Sequence, residues 1–344
     1  MTTMKSRTAN FPIWKTYRAV YGRACIKTAE YAVTFFCIIS LNFFLPRLMP
    51  GDPFTFLSAN SDEISVAYSE EQLAKYKAYY GLDKPLASQY VNYLGNLLRG
   101  NIGYSIYYHE PVLTIIGRRA LWTIALVAAS LALSCAAGII LGGISAWQRD
   151  KAADGILYYF MICFAEIPSF IIGLLLLFAG AAWLGWFPLS GGITPFAAFT
   201  SPFSKALDIL HHAALPVVTL TLARLGEFYL ITRGSMLSVL SKDYMRTARG
   251  KGLSNRRILF GHALRNAAIP VVTRVFLSLG TVFGGAVLVE NVFNYPGVGQ
   301  LMRESVMLRD YVLIQGIFLF FAVSVLLMNF AADLLYKKLD PRVV

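Results

Sequence analysis

Four charged residues interrupt long apolar runs of the chain and are the first candidates for chemistry: Glu166, Arg224, Glu227 and Arg274. A charge inside a bilayer costs at least ~2.5 kcal/mol on insertion scales, so such residues usually face a bundle interior or an aqueous cavity. Glu227 and Arg274 lie at matching depths in successive runs, which predicts that they pair, or that Glu227 pairs with Arg224 one helical turn away. The four charges either line a pathway for zwitterionic or charged solutes or form structural ion pairs that set helix register.

The remaining reactive residue types do not form a pattern typical of an enzyme. We find no nucleophile–base arrangement, no paired carboxylates and no CxxC or HExxH motif. The Gly250–Lys251 pair lacks the upstream Gly and the following Ser/Thr of a P-loop. His211 and His212 are adjacent and point in different directions on a helix, so a polar pair at the membrane interface is favoured over a metal site. We therefore expect no catalytic residue, metal or cofactor in this chain.

The elements that must position the four charges are six long apolar segments. Hydrophobic residues make up 56% of the 344 residues, charged residues 15%, and the mean hydropathy is +0.55, which predicts an all-α polytopic membrane protein. Each segment exceeds the roughly 20 residues that a bilayer-spanning helix needs. The predicted spans are Ala29–Leu48, Ala120–Ala146, Ile156–Trp186, Ala213–Thr232, Ala267–Val289 and Val312–Leu335.

Basic residues are distributed unevenly between the segments that connect these spans. They are concentrated in the N-terminal tail, between spans two and three, between spans four and five, and in the C-terminal tail. The positive-inside rule therefore places these segments and both termini in the cytoplasm, and region 50–119 on the opposite side. This topology, together with anionic lipid, accounts for the net charge of +12 without a nucleic-acid partner.

The predicted organisation follows from this topology. A basic tail with an interfacial amphipathic helix (1–28) precedes the first span (29–48) and an extracytoplasmic region (50–119). The core (120–335) contains the other spans and a cytoplasmic loop (234–266), and a cytoplasmic tail (336–344) follows. The extracytoplasmic region contains two helix-forming segments, SEEQLAKYKAYYGL and QYVNYLGNLL. We interpret it either as a lid or partner docking site, or as a structural plug.

The cytoplasmic loop contains the segment KDYMRTARGKGLSNRRILFGHALRNAAIP. Its first residues favour a helix with Tyr244, Met245 and Ala248 on one side. Gly250 and Gly252 then end the helix, because glycine adopts the left-handed conformation cheaply. Ser254 can cap the helix that follows. A compact apolar face on such a loop predicts a docking element for another protein.

This loop resembles the cytoplasmic EAA loop of ABC importer permeases of the dipeptide/oligopeptide/nickel branch. DYMRTARGKGLS and HALRNAAIPVVT are similar to that branch's version. Further similar motifs follow in the right order: RLMPGDPF, GLDKPLASQYVNYLGNLLRGNIGYS, LPVVTL and ENVFNYPGVGQLMRESVMLRDYVLIQG. The chain departs from the generic motif in having Arg246-Thr247-Ala248 for Glu-Ala-Ala, as is usual in this branch, and in having Gly250 where the branch more often has alanine.

The resemblance implies a type I ABC importer permease fold without its own ATPase. The implied partners are a second permease, two cytoplasmic ATPase subunits that bind ATP and Mg, an extracytoplasmic solute-binding protein and the lipid of a bacterial or archaeal inner membrane. The implied coupling-loop positions are Asp243, Tyr244, Met245, Arg246, Thr247, Ala248, Gly252, Leu253 and Ser254. Closure of the ATPases would pull the loop and tilt the adjoining spans.

Two alternatives to a peptide importer stay open at this point. An importer of nickel or a metal chelate shares these motifs. An ion-coupled secondary transporter is of another class, and the docking loop and the lack of an evident inverted repeat of broken helices argue against it.

Overall fold

A computed structural model describes residues 13–48, 70–79 and 81–339, which are helical and contain no strand beyond an isolated bridge between Tyr104 and Pro111. The predicted start of the basic tail, most of the segment after Pro50 and the last residues of the C-terminal tail lie outside this description. The chain divides into two compact units, Met1–Met49 and Pro50–Val344.

The first unit contains α1, Ile13–Arg47. This helix continues without a turn from the basic segment into the apolar segment Ala29–Arg47, which is long enough to span a bilayer. Arg47 donates to the Phe43 carbonyl at 2.9 Å and lies over the Phe43 ring at 3.7 Å. A cation in the last turn is favourable, because the carbonyl end of a helix carries partial negative charge.

The second unit begins its described part with short helices and continues into long ones. In chain order they are α2 Glu70–Tyr79, α3 Leu86–Leu98, α4 Val112–Trp147, α5 Ala152–Ala165, α6 Ser169–Leu176, α7 Pro202–Leu240, α8 Asp243–Gly250, α9 Leu264–Val292, α10 Val298–Met307 and α11 Tyr311–Leu339. Seven-residue π-helical segments, Leu177–Trp183 and Arg257–Ala263, extend α6 and precede α9.

Four helical segments among the described residues are long and apolar enough to cross a membrane. They are Ala29–Arg47, Val112–Trp147, Pro202–Leu240 and Tyr311–Ala332. Two bent pairs pass the same test when each is taken together, Ala152–Ala165 with Ser169–Trp183 and Arg257–Ser278 with Phe283–Val292, bent by 102° and 64°. By length and apolar composition, the described residues therefore contain four candidate spans, or up to six if each bent pair is one span.

The third predicted span is broken rather than continuous. The break lies between Ala165 and Ser169, and Pro168 occupies the N-cap of α6. Proline has no N–H to donate and its ring clashes with the preceding turn, which accounts for the interruption. Pro216 and Pro270, in contrast, lie inside α7 and α9.

Glycines allow α7 to approach α4 and α5 closely. A Cβ on Gly138 would lie 2.5 Å from Phe228 Cβ, and one on Gly142 would lie 2.7 Å from the Tyr229 carbonyl oxygen. A Cβ on Gly226 would lie 2.6 Å from the Met161 carbonyl oxygen. Small residues at such crossings are typical of membrane helices, whose association depends on close packing.

Apolar clusters mark the two ends of α4. Ala146 packs with Met236, Met245, Ile258 and other buried residues, and we call this region the α8 end. At the other end, which we call the α10 end, the first turns of α4 pack with residues of α10 and α11, namely Val112, Ile115, Val298, Leu301 and Leu313. The core between the ends is built from α4, α7 and α9, with Leu126, Phe228 and Val271 among its buried residues.

Candidate functional site

The short helix α8 is amphipathic, and its apolar side faces its own chain. Met245 and Ala248 are 0% and 8% exposed and pack in the cluster of the α8 end. In the described structure these two residues therefore face the bundle rather than a partner. The reason is physical, because a short helix lying across the ends of spans buries its apolar stripe on them.

The opposite side of α8 is the surface available to a partner. Arg246 and Thr247 are exposed, and Tyr244 is 44% exposed with its hydroxyl 3.4 Å from the Asn266 amide nitrogen. Asp243 lies in the first turn, where a carboxylate is favourable. We call the exposed residues Tyr244, Arg246 and Thr247 the α8 face.

The residues after α8 turn the chain towards α9. Gly252 has φ +71°, a left-handed conformation that glycine adopts without strain. Leu253 is half-buried against the cluster of the α8 end. The next helical segment begins after Ser254, whose carbonyl accepts from the Ile258 N–H at 3.0 Å. No side-chain cap by Ser254 is present among the described residues.

Glu227 forms both of the ion pairs that the sequence predicted. Its carboxylate accepts from the Arg274 side chain on α9 and lies 3.4 Å from the Arg224 guanidinium one turn away on α7. One acid between two cations leaves a net charge of +1 in this cluster, which we call the Glu227 cluster. Its side chains are partly exposed, between 22% and 43%.

Glu166 is separate from the Glu227 cluster. It is the C-cap of α5, directly before the break at Pro168, and its side chain is exposed. It has no salt bridge within the described part of the chain. Ala165, the preceding residue, contacts Gly226, so the break lies against the α7 segment that carries Glu227.

A buried ion pair near the α8 end was not predicted from the sequence. Asp154, 5% exposed, accepts from Arg233 at 2.6 and 3.0 Å and from the Ser145 hydroxyl. The Ser145 oxygen is also 2.6 Å from the Tyr229 hydroxyl, and Arg233 lies 4.6 Å from the centre of the Tyr158 ring. These contacts join the end of α4, the start of α5 and the end of α7. We call them the Asp154–Arg233 network.

A second unpredicted group is Glu290, which is fully buried at the α10 end. Its carboxylate accepts from the Thr123 hydroxyl at 2.7 Å and from the Gly299 N–H at 2.6 Å. Gly299 lies in the first turn of α10, so Glu290 caps that helix from a distance and places a negative charge at its N-terminus. The sequence signal for this site is the pair of glycines in NYPGVGQ, which lie close to the Glu290 carboxylate. A Cβ on Gly297 would overlap that carboxylate.

A third unpredicted group, Asp310, joins the start of α11 to the segment before α4. One oxygen accepts from the Leu313 N–H at 3.0 Å, as an N-cap does, and the other accepts from the Ser105 hydroxyl at 2.5 Å and the Tyr107 N–H at 3.1 Å. Burial raises the pKa of Asp310, and these hydrogen bonds partly oppose the rise. Nearby, burial and Glu304 raise the pKa of Tyr108 to about 12, so its hydroxyl stays protonated.

The two adjacent histidines bond different partners. His211 Nε2 lies 2.9 Å from the Trp186 carbonyl oxygen, and His212 Nδ1 lies 2.9 Å from the Asp208 carbonyl oxygen. The described residues contain no cluster of three or more His, Cys, Asp or Glu side chains that could hold a metal.

Together, the long apolar helices, the ion pairs within them and the short helix across their ends define a polytopic membrane protein. The profile of the family described as binding-protein-dependent transport system inner membrane component matches residues 138–344. The chain belongs to this family.

Its relatives include permease subunits of ABC transporters. The chain is 38% identical to the oligopeptide transport system permease protein AppB of Bacillus subtilis, over 89% of this chain and 94% of the relative. It is 36% identical to the di/tripeptide transport system permease protein DppB of Pseudomonas aeruginosa, over 90% and 95%. It is 34% identical to the glutathione transport system permease protein GsiC of Escherichia coli K12, over 90% and 94%.

Proposed function

We propose that this chain is a transmembrane subunit of an ATP-driven importer of short peptides. The observation that carries the proposal is α8, which is fixed to the bundle by its apolar side and presents the α8 face outwards. Such a helix can receive force from a partner and pass it to the helices beneath it. The partners would be two ATPase subunits, a second permease and an extracytoplasmic binding protein.

The proposed topology has six spans, with the two bent pairs counted as one span each, and both termini in the cytoplasm. The uneven distribution of bases supports this orientation. The α8 end would then face the cytoplasm, where ATP is hydrolysed, and the α10 end would face the binding protein.

The packing around α8 suggests how ATP binding would move the spans. Met245 belongs to one buried cluster with Met236, near the end of α7, and Ile258, before α9. The Asp154–Arg233 network adds the ends of α4 and α5 to the same region. Movement of α8 on closure of the ATPases would therefore tilt these helix ends together, which is the basis of alternating access.

The proposed pathway passes the Glu227 cluster and Glu166. A short peptide is a zwitterion, and it would meet an excess cation in the cluster and a carboxylate at the helix break. Charged groups inside a membrane usually face such a pathway or cavity. The peptide substrate is supported by the relatives, whose names concern peptides and glutathione. No specific contact among the described residues favours a metal chelate.

The docking role of the α8 face is tested by Arg246→Glu combined with Tyr244→Ala. Loss of two exposed contact residues is expected to weaken binding of the ATPase subunits at least about tenfold, as truncation of interface hot spots does. The measurement is co-purification and affinity of the ATPases for the permease pair in nanodiscs. The matched control is Arg303→Glu, an exposed arginine on the short helix of the α10 end.

Two results would contradict the proposed function. One is unchanged ATPase binding by the α8-face variant. The other is peptide uptake into vesicles driven by an ion gradient without ATP or partner subunits, which would indicate a secondary transporter.

A further inference from the structure

A cavity of about 490 Å³ opens beside α8 and is not used by the coupling role described above. It lies between the end of α4, the end of α7 and the last turn of α8, and its walls include Trp147, Arg149, Leu240, Ser241, Arg249 and Asn255. We call it the α4–α8 cavity. Its volume is within the range of pockets that hold a ligand or an inserted side chain.

The charge of the α4–α8 cavity is positive. Arg149 and Arg249 line it, and no acidic residue does so in the described structure. Arg149 is 3.6 Å from Asp150, but both side chains are mostly exposed, so this pair neutralises little of its charge. Asp154, which is bonded to Arg233, does not line the cavity.

The apolar part of the wall strengthens the effect of these charges. Trp147 and Leu240 contribute apolar surface to the wall, while Ser241 and Asn255 add hydrogen-bonding groups. A carboxylate that enters between the arginines is partly removed from water, where charge-assisted hydrogen bonds are stronger. The cavity is therefore suited to an acidic side chain with a short apolar stem.

The position of the cavity indicates which molecule supplies that side chain. Arg249 belongs to α8 itself, one turn from Arg246 of the α8 face. A subunit that covers the α8 face would therefore lie within one helical turn of Arg249 in the cavity wall. We propose that the α4–α8 cavity is a second contact site for the ATP-binding subunit and receives an acidic side chain of that subunit between Arg149 and Arg249. This inference rests on the proposed function, since it takes the same partner.

If the cavity is a second contact site, the ATPase subunit contacts the end of α4 in addition to α8. Arg149 follows α4 and lies outside the coupling helix. With both sites occupied, the ATPase would contact the end of α4 as well as α8. Rotation of α8 alone would then be resisted, and the ends of the two helices would move together.

Arg149→Glu is the deciding variant, because this residue is outside α8 and its exposed side chain is not needed for packing. We expect ATPase binding by the permease complex in nanodiscs to fall about tenfold, with a larger loss at low salt than at high salt. Arg249→Glu should add to the loss, and Arg149→Lys should retain most of the affinity. The matched control is Arg256→Glu, an exposed base of the same loop that does not line the cavity and should change affinity less than about twofold.

The alternative occupant is an anionic lipid headgroup, so the titration is repeated in nanodiscs made only of neutral lipid. A loss that disappears in neutral lipid would overturn the proposal in favour of lipid. An equal loss with Arg256→Glu would overturn it in favour of a general effect of charge, and unchanged affinity with Arg149→Glu would overturn it outright. If these results occur while the α8-face variant still loses the ATPases, the cavity proposal fails and the proposed function stands.

Discussion

At the scale of single residues, the charges inside the apolar segments do not act as one group. Glu227 is shared by two arginines, whereas Glu166 stands apart at the helix break. The pairing of Glu227 could be predicted from spacing alone, because equal depth on adjacent spans and one helical turn are both properties of sequence. The isolation of Glu166 could not, since it depends on the direction in which α5 ends.

The role of the Glu227 cluster can be tested without changing its net charge. Glu227→Gln alone leaves two uncompensated cations and is expected to impair assembly. The double variant Arg224→Gln/Glu227→Gln keeps the net charge of +1 and is expected to assemble. If the cluster lines the pathway, peptide uptake per assembled complex by the double variant should still fall about tenfold or more, a barrier change of ~1.4 kcal/mol. If peptide uptake per complex by the double variant is normal, the Glu227 cluster has a structural role and does not line the pathway.

At the scale of helices, glycines show where α7 packs closely on α4 and α5, and Pro168 marks where the third predicted span breaks. The sequence interpretation and the structure differ at the broken third predicted span, at the 64° bend in the fifth, at the buried apolar side of α8 and at Ser254, which does not cap the helix that follows. Composition locates an apolar segment, but it does not give the 102° bend between the helices that flank Pro168. Likewise, an amphipathic helix has the same pattern whether its apolar side covers its own bundle or a partner.

The contact between α4 and α7 predicts that alanine substitutions at two glycines of α4 have different effects on stability. Gly142→Ala would bring its Cβ within 2.7 to 2.8 Å of Tyr229 and Thr232, so we expect destabilisation of about 1–3 kcal/mol, as overpacking causes. Gly117→Ala, in the same helix, meets no atom within 4 Å and should be neutral or stabilising by up to about 1 kcal/mol. Thermal unfolding in detergent measures both, and equal effects would contradict the close approach of α4 and α7.

At the scale of the whole molecule, the buried polar groups connect segments that are far apart in sequence. Glu290 connects α9 to α10 and α4, Asp310 connects α11 to the segment before α4, and the Asp154–Arg233 network connects α4, α5 and α7. Each lies near the end of a helix. Apart from the glycines that mark the site of Glu290, the sequence alone gives no sign of these connections, because residues at the edges of spans look like ordinary loop charges until their distant partners are known.

The coupling energy between Asp154 and Arg233 can be measured with a double-mutant cycle. Asp154→Asn and Arg233→Gln each leave one partly buried charge without its partner, so each is expected to cost ~3–5 kcal/mol of stability. The double variant should cost less than the sum of the two, because the partners are coupled. The measurement is thermal unfolding of the assembled complex, and strict additivity would show that the two side chains do not interact.

The break at Pro168 also bears on the biosynthesis of the protein. The helix before it, α5, has 14 residues, or about 21 Å at 1.5 Å per residue, and cannot cross a hydrocarbon layer of ~30 Å by itself. Arg233, the partner of Asp154 at its start, is synthesised 79 residues later. The Asp154–Arg233 contact, which ties the start of α5 to α7, can therefore form only after the end of α7 has been synthesised, well after α5 and α6 themselves.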